Sequence, residues 1–344
     1  MNKLEKLLSQ TYLSRHFVSF GYSRTGTVSL LRSLDEKKNS EILVPAFTCV
    51  SIPMAIRKAG WIPIAVDSEK ESLNMSADEA RKQITGKTRA IYIVHTYGIP
   101  ADMERIMVVA REFNLFVIED IAHALICEYK SKLLGEWGDA VIVCLSKQMI
   151  NTGGGLVGVK DEQLKEKIVQ AREINYSFSP LLLPQILSYK AIRLLASGWY
   201  GYGSLVCLAL LNFLDFLNHL LPKARENLDG IFPWMYKMWP LESRLACGGL
   251  KKLKAKKHEI EKDYLEFYKR IEGKAQLPIN RGNLMVTYWG ASLNTCHRSN
   301  RKSKLLKILS FRGWKNYHKL GKYPNAEEWF DRFRVFSKFS KLLK

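Results

Sequence analysis

In "VIVCLSK" (141–147) a run of β-formers ends at a single cation, Lys147, and three glycines, Gly153 to Gly155, follow soon after. A lysine at the end of a buried strand is costly in its charged form, and enzymes use that cost to obtain an amine that attacks carbonyls. The same position also suits a lysine that merely extends its ammonium to solvent. In "VIEDIAHA" (117–124) a strand ends at Asp120, and an imidazole, His123, follows three residues later. A carboxylate so placed can keep the nitrogen of a pyridine ring protonated, which turns the ring into an electron sink. It can equally cap a helix, and His123 can equally be a satisfied core histidine. In "GYSRTGTVSLLRSL" (21–34) small hydroxyl residues and Gly26 precede a helix with apolar Val28, Leu30, Leu31 and Leu34. A helix N-terminus offers amide donors to a phosphate, and glycine allows close approach, although many helices begin this way.

The elements that would position these groups alternate between about residues 40 and 160. "EILVPAF", "IPIAVD", "RAIYIVHTYG", "LFVIED" and "DAVIVCLS" read as strands. "SIPMAIRKAG", "SADEARKQI" (with Ser76 as N-cap) and "ADMERIMVVAREFN" read as helices between them. The pattern predicts a parallel sheet with crossover helices on both faces, and ligands in such sheets bind beyond the carboxyl ends of the strands. Asp67, His95, Glu119, Asp120 and Lys147 stand at those ends. The glycines after Lys147 then let the chain turn away and resume a strand, "LVGV".

Beyond residue 176 the character changes. Residues 179–222 are apolar but interrupted by Lys190, Arg193, Asp215, glycines and prolines, and the cleanest apolar stretch, Leu205 to Leu211, is too short to span a bilayer. "LKKLKAKKHEIEKDYLEFYKRI" (250–271) has helical apolar spacing, "NLMVTYWGASL" reads as a strand and "SKLLKILSFRG" (303–313) as a helix. The expected division is a large domain over 1–178, an apolar helical interface region over 179–240 and a small α+β domain over 241–344.

A chain of 344 residues with 47% hydrophobic and 25% charged residues can bury a large core. Six cysteines without a CxxC pair point to a reducing compartment and to no metal site. The first seventeen residues do not read as a secretory signal, so a cytoplasmic location is expected. The formal charge of +20 suits anionic partners or a solvated basic face. No zinc-finger, RNP or basic-zipper pattern accompanies it, so no specific nucleic-acid reading is expected.

The ordered set "RTGTVSL", "ILVPAFTCVS", "IPIAVD", "HTYGIPADM", "VIEDIAHA" and "GDAVIVCLSKQMINTGGGLV" resembles the DegT/DnrJ/EryC1/StrS family, from about residue 20 to 165. These are pyridoxal-phosphate-dependent sugar aminotransferases of the aspartate-aminotransferase fold, fold type I. The resemblance implies an α/β fold with a mostly parallel central sheet and a smaller α+β C-terminal domain. It implies that Lys147 joins the cofactor covalently, that Asp120 partners the pyridine nitrogen and that His123 stands where the family usually has glutamine. Gly26, Thr27 and Val28 match the turn that holds the cofactor phosphate. Cys49 stands where an aromatic residue usually stacks on the ring, and Cys144 where a serine usually touches the phosphate, with Ser146 nearby but off-register. Met235 and Lys237 replace the asparagine and arginine of the usual "NYRM". Relatives that dehydrate sugars carry histidine in place of the lysine, so Lys147 implies amino transfer. The implied reaction moves an amino group from glutamate to a keto sugar, nucleotide-linked and destined for a cell-surface polysaccharide or related glycan, in a homodimer. Two alternatives stand beside it. The basic-flanked apolar region over 181–221 could seat a peripheral enzyme on a membrane and a lipid-linked substrate, or the departures could mark a degenerate member with a binding role.

Overall fold

The computed structural model describes residues 2–148, 154–175, 237–262, 266, 289–292, 310–312, 323–326 and 333–336. Helix α1 (Lys3–Ser9) leads into strand β1 (His16–Phe20), and helix α2 (Ser23–Ser33) into β2 (Glu41–Pro45). The alternation continues through α3 (Ser51–Lys58), β3 (Ile62–Val66), α4 (Ala77–Gln83), β4 (Thr88–Val94), α5 (Met103–Glu112) and β5 (Phe116–Asp120). A small hairpin, β6 (Glu128–Tyr129) and β7 (Lys132–Leu133), precedes β8 (Ala140–Cys144) and the short helix α6 (Leu145–Gln148). Strand β9 (Gly155–Val159) and helix α7 (Glu162–Asn175) follow, and α8 (Pro240–Ala255) is the next described helix. Strands β10 (Trp289–Ser292), β11 (Ser310–Arg312) and β12 (Phe333–Phe336) form a separate antiparallel sheet in the order β10-β12-β11.

The main sheet has seven strands in the order β1-β9-β8-β5-β4-β2-β3. Strands β8, β5, β4, β2 and β3 run parallel, as the alternation predicts. Strand β9 is antiparallel to both of its neighbours. Too few residues separate Cys144 from Gly155 for a helical crossover, so the chain returns antiparallel. Alternation along each strand sorts side chains onto two faces. Ile91, Ile93, Val117, Val141 and Val143 pack on one face with Leu4 and Leu8 of α1, Ile106 of α5 and Leu250 of α8. Ala90, Tyr92, Ile118 and Ile142 pack on the other with Leu30 and Leu31 of α2, Ile56 of α3 and Ile168 of α7.

The later elements depart from expectation. The amphipathic helix expected over 250–271 begins earlier, at Pro240, where proline at the first turn costs no hydrogen bond and the Trp239 N–H donates to the Glu242 carboxylate at 3.0 Å. It is interrupted at Lys256 and resumes over 257–262. Ser310–Arg312, expected within a helix, is strand β11, because pairing with β12 overrides a weak helical period. The region over 179–236 lies outside the described residues, as do Met235 and most of the expected strand in "NLMVTYWGASL".

Candidate active site

Six of the seven strands point the same way, β9 alone being reversed, and the carboxyl ends of β4, β5 and β8 meet the N-terminus of α2 at a cleft. Asp120 and His123 enter it from the end of β5 and the loop beyond, and Lys147 from α6 directly after β8. Thr27 comes from α2, Cys49 from the loop after β2, and Cys144 from the end of β8. Six of the residues singled out from the sequence therefore line one cavity. Gly26 and Val28 do not line it. A Cβ at Gly26 would lie 2.6 Å from Val157 Cγ2, so this glycine brings α2 down onto the sheet, and Val28 packs with Ala55 of α3. The Ser146 side chain lies outside the described residues.

Asp120 is held by two donors. The Tyr92 hydroxyl donates to Oδ2 and the Ala122 N–H to Oδ1, each at 2.8 Å. Burial pushes the Asp120 carboxyl above the ordinary aspartate value, against the pull of these donors and of the Lys147 charge. Hydrogen bonds to a charged group contribute about 1.5–3 kcal/mol each, so the pair of donors decides where this carboxylate points. Burial, then the charge of Lys147, pushes His123 well below the ordinary imidazole value, so a neutral ring faces the cleft. That ring stacks on Tyr97 at 5.4 Å between centroids and 14° between planes. Tyr97 reaches this position through a left-handed backbone, φ 55°, a conformation that costs a non-glycine residue about 1–3 kcal/mol.

One position before Asp120, Glu119 points the other way. It accepts N–H bonds from Gly135 at 2.8 Å and Gly138 at 2.6 Å, and lies 3.3 Å from His95 Nε2 and 4.0 Å from the Arg15 guanidinium. Because the Ala101 N–H donates to His95 Nδ1, the His95 proton sits on Nε2 and faces the carboxylate. Burial raises Glu119, but the bond from His95 and the two amides overcome it and hold the group below the usual carboxylate range. Arg15 is buried and donates to the carbonyls of Gly135, Gly138 and Asp139. This second acid is structural: it fixes the loop over 135–139 under the strand that carries Asp120.

At the opposite end of the cleft stands the first turn of α2. Its N-cap, Tyr22, makes no side-chain cap, its first turn holds no acid, and Ser23 and Arg24 line the opening. Gly155 fixes this turn against β9: a Cβ there would lie 2.2 Å from Ser23 N and 2.3 Å from Ser23 Cα. The Gly154 N–H donates to Gly21 O at 2.6 Å, and Gly154 O accepts from Leu145 N–H at 3.0 Å. Backbone bonds thus tie the lysine segment to the helix N-terminus. Ser23, Arg24, Ser51 and Tyr92 were not singled out from the sequence. Tyr92 had a usable signal, since it lies two residues before Val94 on the strand face that leads to the cleft.

An amine, a buried carboxylate and a helix N-terminus with hydroxyls and a guanidinium match, respectively, an aldehyde, a pyridine nitrogen and a phosphate. The residues present therefore fit pyridoxal phosphate. The fold is that of the type I pyridoxal-phosphate transferases. An aminotransferase of Psychrobacter cryohalolentis superposes with a TM-score of 0.70, over 97% of this chain and 85% of the other, at 18% identity. The Bacillus subtilis protein NtdA with bound cofactor PMP superposes with a TM-score of 0.67, over 97% and 71%, at 17% identity. Residues 1–178 match the DegT/DnrJ/EryC1/StrS aminotransferase family, and the chain belongs to that family. GDP-perosamine synthase of Escherichia coli O157:H7 is 41% identical over 147 residues, 41% of this chain and 40% of that protein. The match thus spans about two fifths of that curated relative's length. Among the described residues no helix is long and apolar enough to cross a membrane.

Proposed function

We propose that this chain is an aminotransferase that moves an amino group from an amino acid, glutamate, to a keto sugar carried on a nucleotide, for polysaccharide or related glycan synthesis. The observation that carries the proposal is the meeting of Lys147, Asp120 and the N-terminus of α2 in one cleft. Pyridoxal phosphate, when bound, supplies an aldehyde that condenses with amines and a ring that draws electrons from the adjoining carbon. Lys147 would hold the cofactor, and then carry a proton between donor carbon and cofactor as base and acid in turn. Asp120 would keep the ring nitrogen protonated, and His123, neutral and backed by Tyr97, would bound the ring on one side. Ser23, Thr27 and the first amides of α2 would hold the phosphate, with Arg24 adding positive charge at the opening. Cys49 would make a thinner contact than the aromatic residue usual in the family, and Cys144 a weaker hydrogen bond than the usual serine. The sugar substrate is supported by the similarity to GDP-perosamine synthase, and a homodimer by family membership.

Borohydride reduction of the holoenzyme followed by peptide mapping should find the cofactor on Lys147. Lys147→Ala should lose both the visible absorbance band and turnover, by at least about a thousandfold, as expected when the acid–base and covalent roles are removed together. In the parent enzyme, glutamate should bleach that band. Undiminished turnover in the variant, or an unmodified Lys147, would refute the assignment.

A further inference from the structure

We propose that Tyr92 is a positioning residue for Asp120: its hydroxyl fixes the carboxylate's orientation and keeps it an acceptor for the ring nitrogen. The inference rests on the assignment of Asp120 above and extends it to a residue that does not itself react. Strands β4 and β5 pair in parallel with Val94 opposite Asp120 and Tyr92 opposite Ile118. Tyr92 therefore lies one step below the carboxylate on the same face of the sheet, where its side chain reaches along the strand to Oδ2 at 2.8 Å. Oδ1 is taken by Ala122 N–H, from the loop on the other side. Two donors from different segments determine the plane of the carboxylate, and each oxygen keeps a further lone-pair site. One of those on Oδ2 remains for an N–H of the bound ring.

Thr27 lines the same cleft and turns its hydroxyl back on its own helix, donating to Ser23 O at 3.3 Å. Tyr92 is buried, and burial, with the nearby Asp120 charge, pushes its hydroxyl well above the ordinary phenol range. It stays a donor at every pH at which the enzyme works. The titratable groups around Asp120 are Tyr92 on β4, His95 just beyond it, His123 after β5 and Lys147 on α6, and Cys144 of β8 faces Tyr92. Among them Tyr92 hydrogen-bonds the carboxylate, together with the Ala122 backbone N–H.

The test compares the holoenzyme with Tyr92→Phe and Asp120→Asn. Phenylalanine keeps the ring packed between Val94 and Ile118 on the core face and removes the hydroxyl alone. In Tyr92→Phe, kcat should fall about tenfold, the KM for the amino donor should stay within about twofold, and the cofactor dissociation constant should rise about tenfold. The acid limb of the kcat profile and of the visible-band titration should move to higher pH, because the donor that favours the carboxylate is gone. Should Tyr92→Phe fail to fold, 3-fluorotyrosine at position 92, a stronger donor of nearly the same shape, should move both limbs to lower pH. Limbs and cofactor affinity that match the parent, while Asp120→Asn loses function by orders of magnitude, would overturn the role of Tyr92 alone. An Asp120→Asn enzyme with parental affinity and turnover would overturn both this inference and the assignment on which it rests.

Discussion

Gly155→Ala is the substitution for which the structure gives the sharpest expectation. The added Cβ would fall 2.2 Å from Ser23 N, 2.3 Å from Ser23 Cα and 2.6 Å from Tyr22 C. All three are backbone atoms, so no side-chain rotation can relieve the contact. Ordinary contact begins near 3.4 Å, so β9 and the first turn of α2 must separate by about an ångström. Overpacking of this kind destabilises by about 1–3 kcal/mol, which leaves a domain of this size folded. The functional loss should be larger than the stability loss, because the shift falls on the turn that would hold the cofactor phosphate. Misplacement by about an ångström costs on the order of a hundredfold in turnover. The assay is a cofactor titration of the apo-protein, with a thermal melt and steady-state kinetics on the same preparation. The expected result is a melt lowered by a few degrees, cofactor affinity lowered at least tenfold and kcat/KM lowered about a hundredfold. A folded variant with parental cofactor affinity would refute the claim that Gly155 sets the spacing between strand and helix.

Gly248 on α8 is the contrasting case, since a Cβ there meets nothing within 4 Å. Gly248→Ala should raise stability by about 0.5–1 kcal/mol in a denaturant melt and leave turnover unchanged; a loss would argue against a helix at that position. His123 gives a pH dependence whose sign follows from its depressed folded value. The unfolded chain takes up a proton near pH 6.5 while the folded ring stays neutral, so its contribution is complete above that pH and is lost as pH falls toward the folded value. Below about pH 6.5 the parent should lose up to about 1.4 kcal/mol per pH unit that His123→Gln does not lose. Urea melts at pH 7.5 and 5.5 should therefore show the gap between the two proteins changing in favour of the variant, and a constant gap would refute a neutral, buried imidazole.

The parallel half of the sheet was legible because apolar runs and helix-period segments alternate from Glu41 to Cys144, with turn residues between them. Strand β1, in "HFVSF", is not legible, because five residues beside a basic turn carry no alternation that separates them from a helix end. The reversed direction of β9 follows from the short return after β8, a spacing that could have been used. Strand β11 was misread as helix since three residues take their state from the partner they pair with. Within the site, Lys147 and Asp120 showed themselves by standing at strand ends, and His123 by following Asp120 three residues later. Tyr92 did not, because its part depends on what the neighbouring strand places opposite it. Gly26 was read as room for a ligand, whereas the space it leaves is filled by Val157 and Phe20.

The two neighbouring acids at the end of β5 have a consequence for the folding of the sheet itself. Were the strand to slide one residue along β4, both acids would turn to the opposite face of the sheet, and at most one of them could meet the other's donors. Each mismatch would leave buried polar groups unanswered, so the pair works as a proofreader: only one alignment of the central strands satisfies both charges at once.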